Sequence, residues 1–192
     1  MSFLHLLPDD YRAMPWKDGG GETTELCIEP PGATVKDGFL WRLSMAKVDH
    51  SGPFSRFPGM DRSLLILEGA GLDLKVGKAA KHHLEPGGAP QSFSGDEEVQ
   101  GELVDGPTLD FNVISNREWV GHTLSRVALG PGELDLPPAP VQILFVVEGE
   151  VVVGPWNETL RAHELIRTDD GEALHLRSVR GAKLLRVIVE PA

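Results

Sequence analysis

Cysteine is nearly absent from this sequence of 192 residues. Cys27 is the single cysteine, so an internal disulfide cannot form and a disulfide-stabilised scaffold is excluded. Long hydrophobic runs are also missing, because no stretch approaches the roughly 20 apolar residues that a membrane-spanning helix needs. The first ten residues have no basic segment, and their apolar stretch stops at Pro8, which is untypical of a secretory signal. We therefore expect a cytoplasmic protein that has no membrane partner.

Positive charge is scarce as well. The chain carries 18 Lys and Arg residues against 29 Asp and Glu residues, which gives a formal net charge of −11. Binding to nucleic acid requires a concentrated positive field, so we expect no nucleic-acid partner. An acidic chain also repels small anions at long range. Any anion site must therefore be built from local cations and N–H donors.

Turn-forming residues are abundant, with 22 glycines and 15 prolines, which favours many short β-strands over long helices. Apolar residues occupy every second position in residues 41–45 and 72–76, as in half-buried strands. The continuous apolar run at residues 143–147 predicts a strand that is buried on both faces. Glu148-Gly149-Glu150 follows this run and predicts a tight turn before the apolar residues 151–153.

A weak internal repeat suggests two similar halves. Leu67-Glu68-Gly69 returns as Val147-Glu148-Gly149, about 80 residues later. Strands at intervals of 8–12 residues, separated by turns, are typical of sandwiches and barrels. We predict an all-β double-stranded β-helix (a jelly roll), duplicated as a bicupin. Residues 1–192 then form a single bicupin unit, in which residues 1–118 hold an N-terminal segment and the first cupin-like half, and residues 119–192 form the second half.

Ordered motifs in the first half resemble a known family. They are MPWKDGGGETTE at residues 14–25, WRLSMA at 41–46, GPFSRFPGMDR at 52–62, and Asp110-Phe111-Asn112 together with Arg117. This pattern is similar to the HutD/Ves family. The resemblance implies a bicupin-like, all-β fold and an association with histidine utilisation, without a firmly assigned catalytic activity. The family usually has Asn at the position of Asp18, and an ionised Asp has no donor to replace that amide.

The candidate ligand site is built from basic and amide residues in these motifs. A guanidinium group is well shaped to bind a carboxylate through two hydrogen bonds, and glycine-rich turns offer backbone N–H groups to anions. We expect the ligand-binding residues to be Lys17, Gly19, Gly20, Arg42, Arg62, Asn112 and Arg117. The structural alternatives are ion pairs of the arginines with carboxylates such as Asp61 or Asp110, and a turn that uses the glycines only for their positive φ angles.

Metal-binding and catalytic patterns are absent from the sequence. His82 and His83 are adjacent and would point to opposite faces of a strand, while His163 and His175 are twelve positions apart. Without a His-x-His pair we expect no metal and no other cofactor. The apolar neighbours of Cys27 favour a buried structural thiol, so we assign no catalytic residue.

We therefore predict a non-catalytic, small-molecule-binding bicupin that senses or regulates histidine utilisation by binding a small carboxylate metabolite. Formylglutamate and urocanate are the candidates that the resemblance implies. The alternative is a cupin-type enzyme, an isomerase or hydrolase, acting on a small carboxylate. A third hypothesis is an interaction module anchored by Trp16, Trp119 and Trp156. A homodimer is a partner that the sequence leaves open.

Overall fold

The computed structural model describes residues 3–17 and 19–192, so Asp18 lies outside the described residues. This part of the chain forms β-strands and one short 3₁₀ helix, η1, at Pro8–Asp10. The strands are β1 (Phe3–Leu6), β2 (Arg12–Pro15), β3 (Gly21–Glu29), β4 (Trp41–Val48), β5 (Gly52–Pro53), β6 (Met60–Glu68), β7 (Leu72–Val76), β8 (Lys81–Leu84), β9 (Gln91–Ser94), β10 (Val99–Leu103), β11 (Thr108–Asn116), β12 (Val120–Leu129), β13 (Gly132–Leu136), β14 (Val141–Gly154), β15 (Glu158–Arg161), β16 (Leu165–Thr168), β17 (Leu174–Ser178) and β18 (Ala182–Pro191). Among these residues, none of the helical structure is long and apolar enough to cross a membrane.

The all-β prediction is confirmed, and the strands pair in antiparallel registers. The alternating segment at residues 72–76 coincides with β7, in which Leu72 and Leu74 are buried while Lys75 is exposed. β-branched and apolar residues at every second position place one face of such a strand in the core. The chain separates into two compact units. That both units repeat one cupin plan stays a prediction.

One unit comprises residues 11–121 together with Ala192. In its described residues, a six-stranded sheet has the order β2-β3-β4-β11-β6-β9, and a four-stranded sheet has the order β5-β10-β7-β8. Apolar residues of β6 pack against apolar residues of β7, β8 and β10, and so join the two sheets in one core. This cluster consists of Leu64, Ile66, Leu72, Leu74, Leu84 and Val99.

The other unit comprises residues 3–10 and 122–191. In the described chain, its sheet follows the path β1-β16-β14-β17-β13, with β15 also paired to β14, and with β18 paired to β12 and β14. β1 pairs with β16, so residues 3–10 belong to this unit, whereas the sequence analysis grouped them with the first half. The core of this unit is apolar and is formed mainly by leucine and valine residues.

The predicted turn at residues 148–150 is wrong, because β14 continues through it from Val141 to Gly154. The first part of β14 pairs with β16 and β18, and its last part pairs with β15 and β17. The register with β18 shifts between Val146 and Glu148, and Gly149 has a φ of 89°. A bulge with a glycine at positive φ bends a strand without ending it. The prediction that residues 143–147 are buried on both faces is confirmed for residues 143–146.

Candidate functional site

A cavity of about 510 Å³ lies within the unit of residues 11–121. Its wall combines apolar and aromatic side chains with a small set of charged and amide groups. The lining residues are Met14, Pro15, Trp16, Lys17, Thr23, Val35, Arg42, Ser44, Ala46, Pro53, Phe54, Ser55, Phe57, Arg62, Asp110, Asn112 and Ile114. A volume of this size is within the range of roughly 300–1,000 Å³ that is usual for small-molecule sites.

Three neighbouring strands supply the polar wall of the cavity. Ile114 of β11 lies opposite Arg42 of β4 on one side and opposite Arg62 of β6 on the other. Asp110 and Asn112 share the face of Ile114, because side chains two positions apart on a strand point the same way. Strand register therefore brings together two guanidinium groups, a carboxyl group and an amide from distant parts of the sequence.

The opposite face of these strands is apolar. Trp41, Leu43 and Met45 of β4 are buried, as are Phe111 and Val113 of β11. Arg42 therefore lies on the opposite face of β4 from Trp41 and Leu43, because neighbouring side chains on a strand alternate between its two faces. The sheet is thus buried on both sides, and one of those sides carries charge.

The guanidinium group of Arg42 is bonded through Nε, and its two terminal nitrogens are left as donors. Its side chain is buried, and its Nε donates to Oε2 of Glu25 at 2.6 Å. A carboxylate next to a guanidinium forms a strong, charge-assisted hydrogen bond that fixes its orientation. No described residue accepts a hydrogen bond from either terminal nitrogen of Arg42. The guanidinium therefore presents two oriented donors to the cavity.

Arg62 is enclosed by aromatic rings. Its Nη1 donates to the carbonyl oxygen of Ser55 at 3.0 Å, and its Cζ lies 5.7, 5.2 and 5.0 Å from the ring centroids of Phe54, Phe57 and Phe93. The electron-rich faces of these rings favour a cation. Burial lowers the pKa of Arg62 to about 10, so the group is still protonated at neutral pH. Nε and Nη2 have no acceptor among the described residues.

Asp110 is the residue of this wall that the sequence analysis did not place in the site. Asp110 is fully buried, and neither of its carboxylate oxygens accepts a hydrogen bond of normal geometry. The backbone N–H of Ala46 is nevertheless close enough to the carboxylate to lower its pKa. Burial raises the pKa of Asp110 to about 7, and the positive charge of Arg62 opposes that rise. The spacing in the sequence could have identified Asp110, because residues two positions apart on a strand, such as Asp110 and Asn112, share a face.

Asn112 and Lys17 also lie at the cavity, as predicted residues of the site. The Oδ1 atom of Asn112 is buried without a partner. No described residue bonds to its amide nitrogen, which is left as a donor for the cavity. Lys17 is exposed, and its ammonium group on a long aliphatic stem contributes positive charge rather than an oriented pair of donors.

The two predicted glycines do not line the cavity but build the turn beside it. The N–H of Gly19 donates to the carbonyl of Trp16 at 3.1 Å, and Gly19 has a φ of 71°. The carbonyl of Gly20 accepts a hydrogen bond from the N–H of Asp49 at 2.9 Å. This turn places Trp16 in the cavity wall, where its Nε1 donates to the hydroxyl of Thr23 at 2.8 Å.

Arg117 lies outside the cavity, in an ion-pair cluster on the surface. Its Nε donates to Asp61 at 3.0 Å, and its terminal nitrogens contact Asp96, Ser94 and the carbonyl of Met60. The structural alternative, an ion pair with Asp61, therefore describes Arg117. The structure does not bring it together with Arg42 and Arg62.

The three tryptophans considered as interface anchors have different environments. Trp16 lines the cavity, and Trp156 packs on Phe3 with 4.8 Å between the ring centroids. Trp119 is 59% exposed. Trp16 and Trp119 belong to one unit and Trp156 to the other.

The cavity is chemically suited to an anion and not to a metal. In the described chain, no group of three or more His, Cys, Asp or Glu side chains is arranged to hold a metal ion. The described lining residues include one carboxylate, Asp110, and no histidine or cysteine. Cys27 is buried in β3, as its neighbours predicted. By contrast, Arg42, Arg62 and Asn112 offer unused N–H donors that match a carboxylate.

Comparisons of sequence agree with the motifs. The HutD family model matches residues 8–185. An uncharacterised 21.2 kDa protein of the hutC 3′ region of Pseudomonas putida is 43% identical over 115 residues, which cover 59% of this chain and 59% of that protein. Protein Ves of Escherichia fergusonii is 39% identical over 110 residues, covering 55% of this chain and 56% of its own length. The chain thus spans little more than half the length of the curated relatives it matches.

Solved structures match over the whole chain. A conserved protein of unknown function from Pseudomonas aeruginosa PAO1 is 32% identical with a TM-score of 0.90, and 99% of this chain and 100% of that chain are covered. HutD from Pseudomonas fluorescens SBW25, determined in a formate condition, is 30% identical with a TM-score of 0.85 over 100% of both chains. The bacterial pirin YhhW from Escherichia coli, in complex with nickel(II), shares the fold with a TM-score of 0.75 over 100% of both chains at 11% identity.

Proposed function

The chain belongs to the HutD family, and from this membership we propose that it binds a small carboxylate metabolite without transforming it, as a sensor or regulator of histidine utilisation. The names of two similar proteins, HutD and a product of the hutC 3′ region, support the link to histidine utilisation. Formylglutamate and urocanate are the candidate metabolites. Both carry a carboxylate and fit the size class of the cavity.

The observation that carries the proposal is the pair of buried guanidinium groups with unused donors. Arg42 is oriented by Glu25, and Arg62 is oriented by the carbonyl of Ser55 and by three aromatic rings. Buried cations are costly unless they are paired, so donors left open towards a cavity favour an anionic ligand. The amide of Asn112 supplies a further donor on the same wall.

A cupin-type isomerase or hydrolase is the second candidate, and Asp110 is the observation that favours it. A carboxyl group with a pKa of about 7 suits acid–base chemistry at neutral pH. Both of its oxygens, however, are covered by surrounding atoms, which supports binding over proton transfer to a substrate. Incubation with formylglutamate and urocanate, followed by chromatography of the products, distinguishes the two. If either compound were converted to a product, the protein would be an enzyme and the proposal of binding without transformation would be wrong.

Thermal-shift titration with formylglutamate and urocanate tests the proposal. A ligand at about 100 times its dissociation constant stabilises a fold by ~2.7 kcal/mol. For a chain of this size each kcal/mol raises the melting temperature by ~2–4 °C, so a rise of several degrees is expected.

Arg62→Lys should remove most of that rise, because a lysine keeps the charge but loses the planar pair of donors. Arg42→Lys should do the same. Arg117→Lys is the matched control, since Arg117 lies outside the cavity and should leave the rise unchanged. An undiminished rise in both Arg62→Lys and Arg42→Lys would place the site elsewhere.

A further inference from the structure

A row of unpartnered oxygens lies along one face of β11. Thr108 Oγ1, both carboxylate oxygens of Asp110 and Oδ1 of Asn112 are buried, and none has a hydrogen-bond partner in the described chain. These residues are two positions apart and so share the side of the strand that faces the cavity wall. Buried polar atoms are nearly always hydrogen-bonded. An ionised Asp110 therefore has little local stabilisation beyond the positive charge of Arg62 and the nearby Ala46 backbone amide.

The charged groups around Asp110 come from three strands and one loop. Arg62 of β6 acts directly on Asp110, and Arg42 of β4 repels Arg62. Glu25 of β3 is bonded to Arg42 and offsets its charge. Lys17 follows β2 in the chain and lines the cavity. Ile66 of β6 lies opposite Asp110 and packs in one apolar cluster with Leu72 and Leu74 of the four-stranded sheet.

An anion that bonds to Arg62 changes this balance. It brings a negative charge into the cavity and partly neutralises the positive charge of Arg62. That positive charge is what stabilises an ionised Asp110. The anion and Asp110 would then share the positive charge of Arg62, and only the Ala46 backbone amide, outside normal hydrogen-bond geometry, is near Asp110 to compensate. Neutralisation of the carboxyl group is the less costly outcome.

We infer that binding of a carboxylate in this cavity is coupled to the uptake of one proton by Asp110. The inference rests on the proposed function and extends it to the regulation of the same site. The anion enters with its charge, a proton from solvent bonds to a carboxylate oxygen of Asp110, and both leave together on release. The proton thereby offsets one unit of the negative charge that the anion brings into the cavity.

The sign of the pH dependence follows from the state of Asp110 before binding. Below a pH of about 7 the carboxyl group already holds its proton, so binding needs no uptake. Above that value the proton must be supplied, and the affinity falls by up to about tenfold per pH unit. A low pH therefore favours the liganded protein.

Isothermal titration with N-formylglutamate tests the inference, because its carboxylates do not titrate between pH 5.5 and 8. At each pH the titration is repeated in two non-phosphate buffers of different ionisation enthalpy, and the difference in heat gives the number of protons taken up. Wild-type protein should take up close to one proton at pH 8 and almost none at pH 5.5. Asp110→Asn should bind with no uptake at either pH, and Asp9→Asn, an exposed control, should behave as wild type.

Three outcomes are decisive. Binding by wild type at pH 8 without proton uptake, or uptake that persists in Asp110→Asn, would overturn the inference while leaving the proposed function intact. Absence of binding at both pH values, for N-formylglutamate and for urocanate, would overturn the proposed function and the inference with it. If Asp110→Asn does not fold, infrared difference spectra of wild type decide: addition of ligand at pH 8 must produce the band of a protonated carboxyl group.

Discussion

Replacing Asp110 by Asn should change how the stability of the unliganded protein depends on pH. In the folded protein the pKa of Asp110 is raised from 3.8 to about 7, whereas in the unfolded chain it returns to the ordinary value. A carboxyl group whose pKa is raised by folding binds its proton more tightly in the folded state. Its favourable contribution is fully present below pH 3.8 and is lost as the pH rises through about 7.

The size of the effect follows from the shift. One pKa unit corresponds to ~1.4 kcal/mol, so a shift of this size changes the free energy of unfolding by about 4 kcal/mol across the whole range. Between pH 5 and pH 8 the change is about 3 kcal/mol, because part of the range lies below pH 5. Asparagine has the same shape but no titration. The stability of Asp110→Asn relative to wild type should therefore improve by about 3 kcal/mol from pH 5 to pH 8.

Urea unfolding at pH 5, 6, 7 and 8, followed by tryptophan fluorescence, measures this difference directly. Asp9→Asn is the control for removal of a carboxylate from the surface, because Asp9 is exposed in η1. A constant difference between wild type and Asp110→Asn over the same range would refute the argument. It would mean that Asp110 either keeps an ordinary pKa or holds its proton throughout.

Two further predictions concern Gly21 beside the cavity and the surface ion pairs of Arg117. Gly21→Ala should lower the free energy of unfolding by about 1–3 kcal/mol, because the new Cβ would lie 2.2 Å from the carbonyl oxygen of Lys47 and against the ring of Trp16. Gly52→Ala has open space at its Cβ and should leave stability unchanged or raise it slightly, so equal losses in urea unfolding would contradict the packing argument. Arg117→Gln should raise the pKa of Asp96 from about 2 towards 3.8 in a carboxyl NMR titration, and stability should then be lost at a higher pH on acidification. The shift should be partial, since a backbone amide is the largest cause of the lowered pKa; an unchanged pKa would show that Arg117 has no part in it.

Much of the fold follows from the sequence alone, because strand periodicity is a local property. Alternation at residues 72–76 and the apolar run at residues 143–147 predicted strands that the structure contains. The turn expected at residues 148–150 failed because a Glu-Gly pair suits both a tight turn and a bulge. The pairing of β14 with β18 selects between them, and that pairing joins residues far apart in the chain.

In the candidate site, too, some features could be predicted from the sequence and others depend on the folded sheet. Residue chemistry indicated guanidinium groups for an anion, and Arg42 and Arg62 do line the cavity. Local sequence could not separate them from Arg117, whose side chain is taken up by Asp61 and Asp96 on the surface. Nor could it show that Asp110 is buried beside Arg62. Both facts depend on the register of β4, β11 and β6, which sets which side chains of distant segments share a wall, and only the folded sheet decides that register.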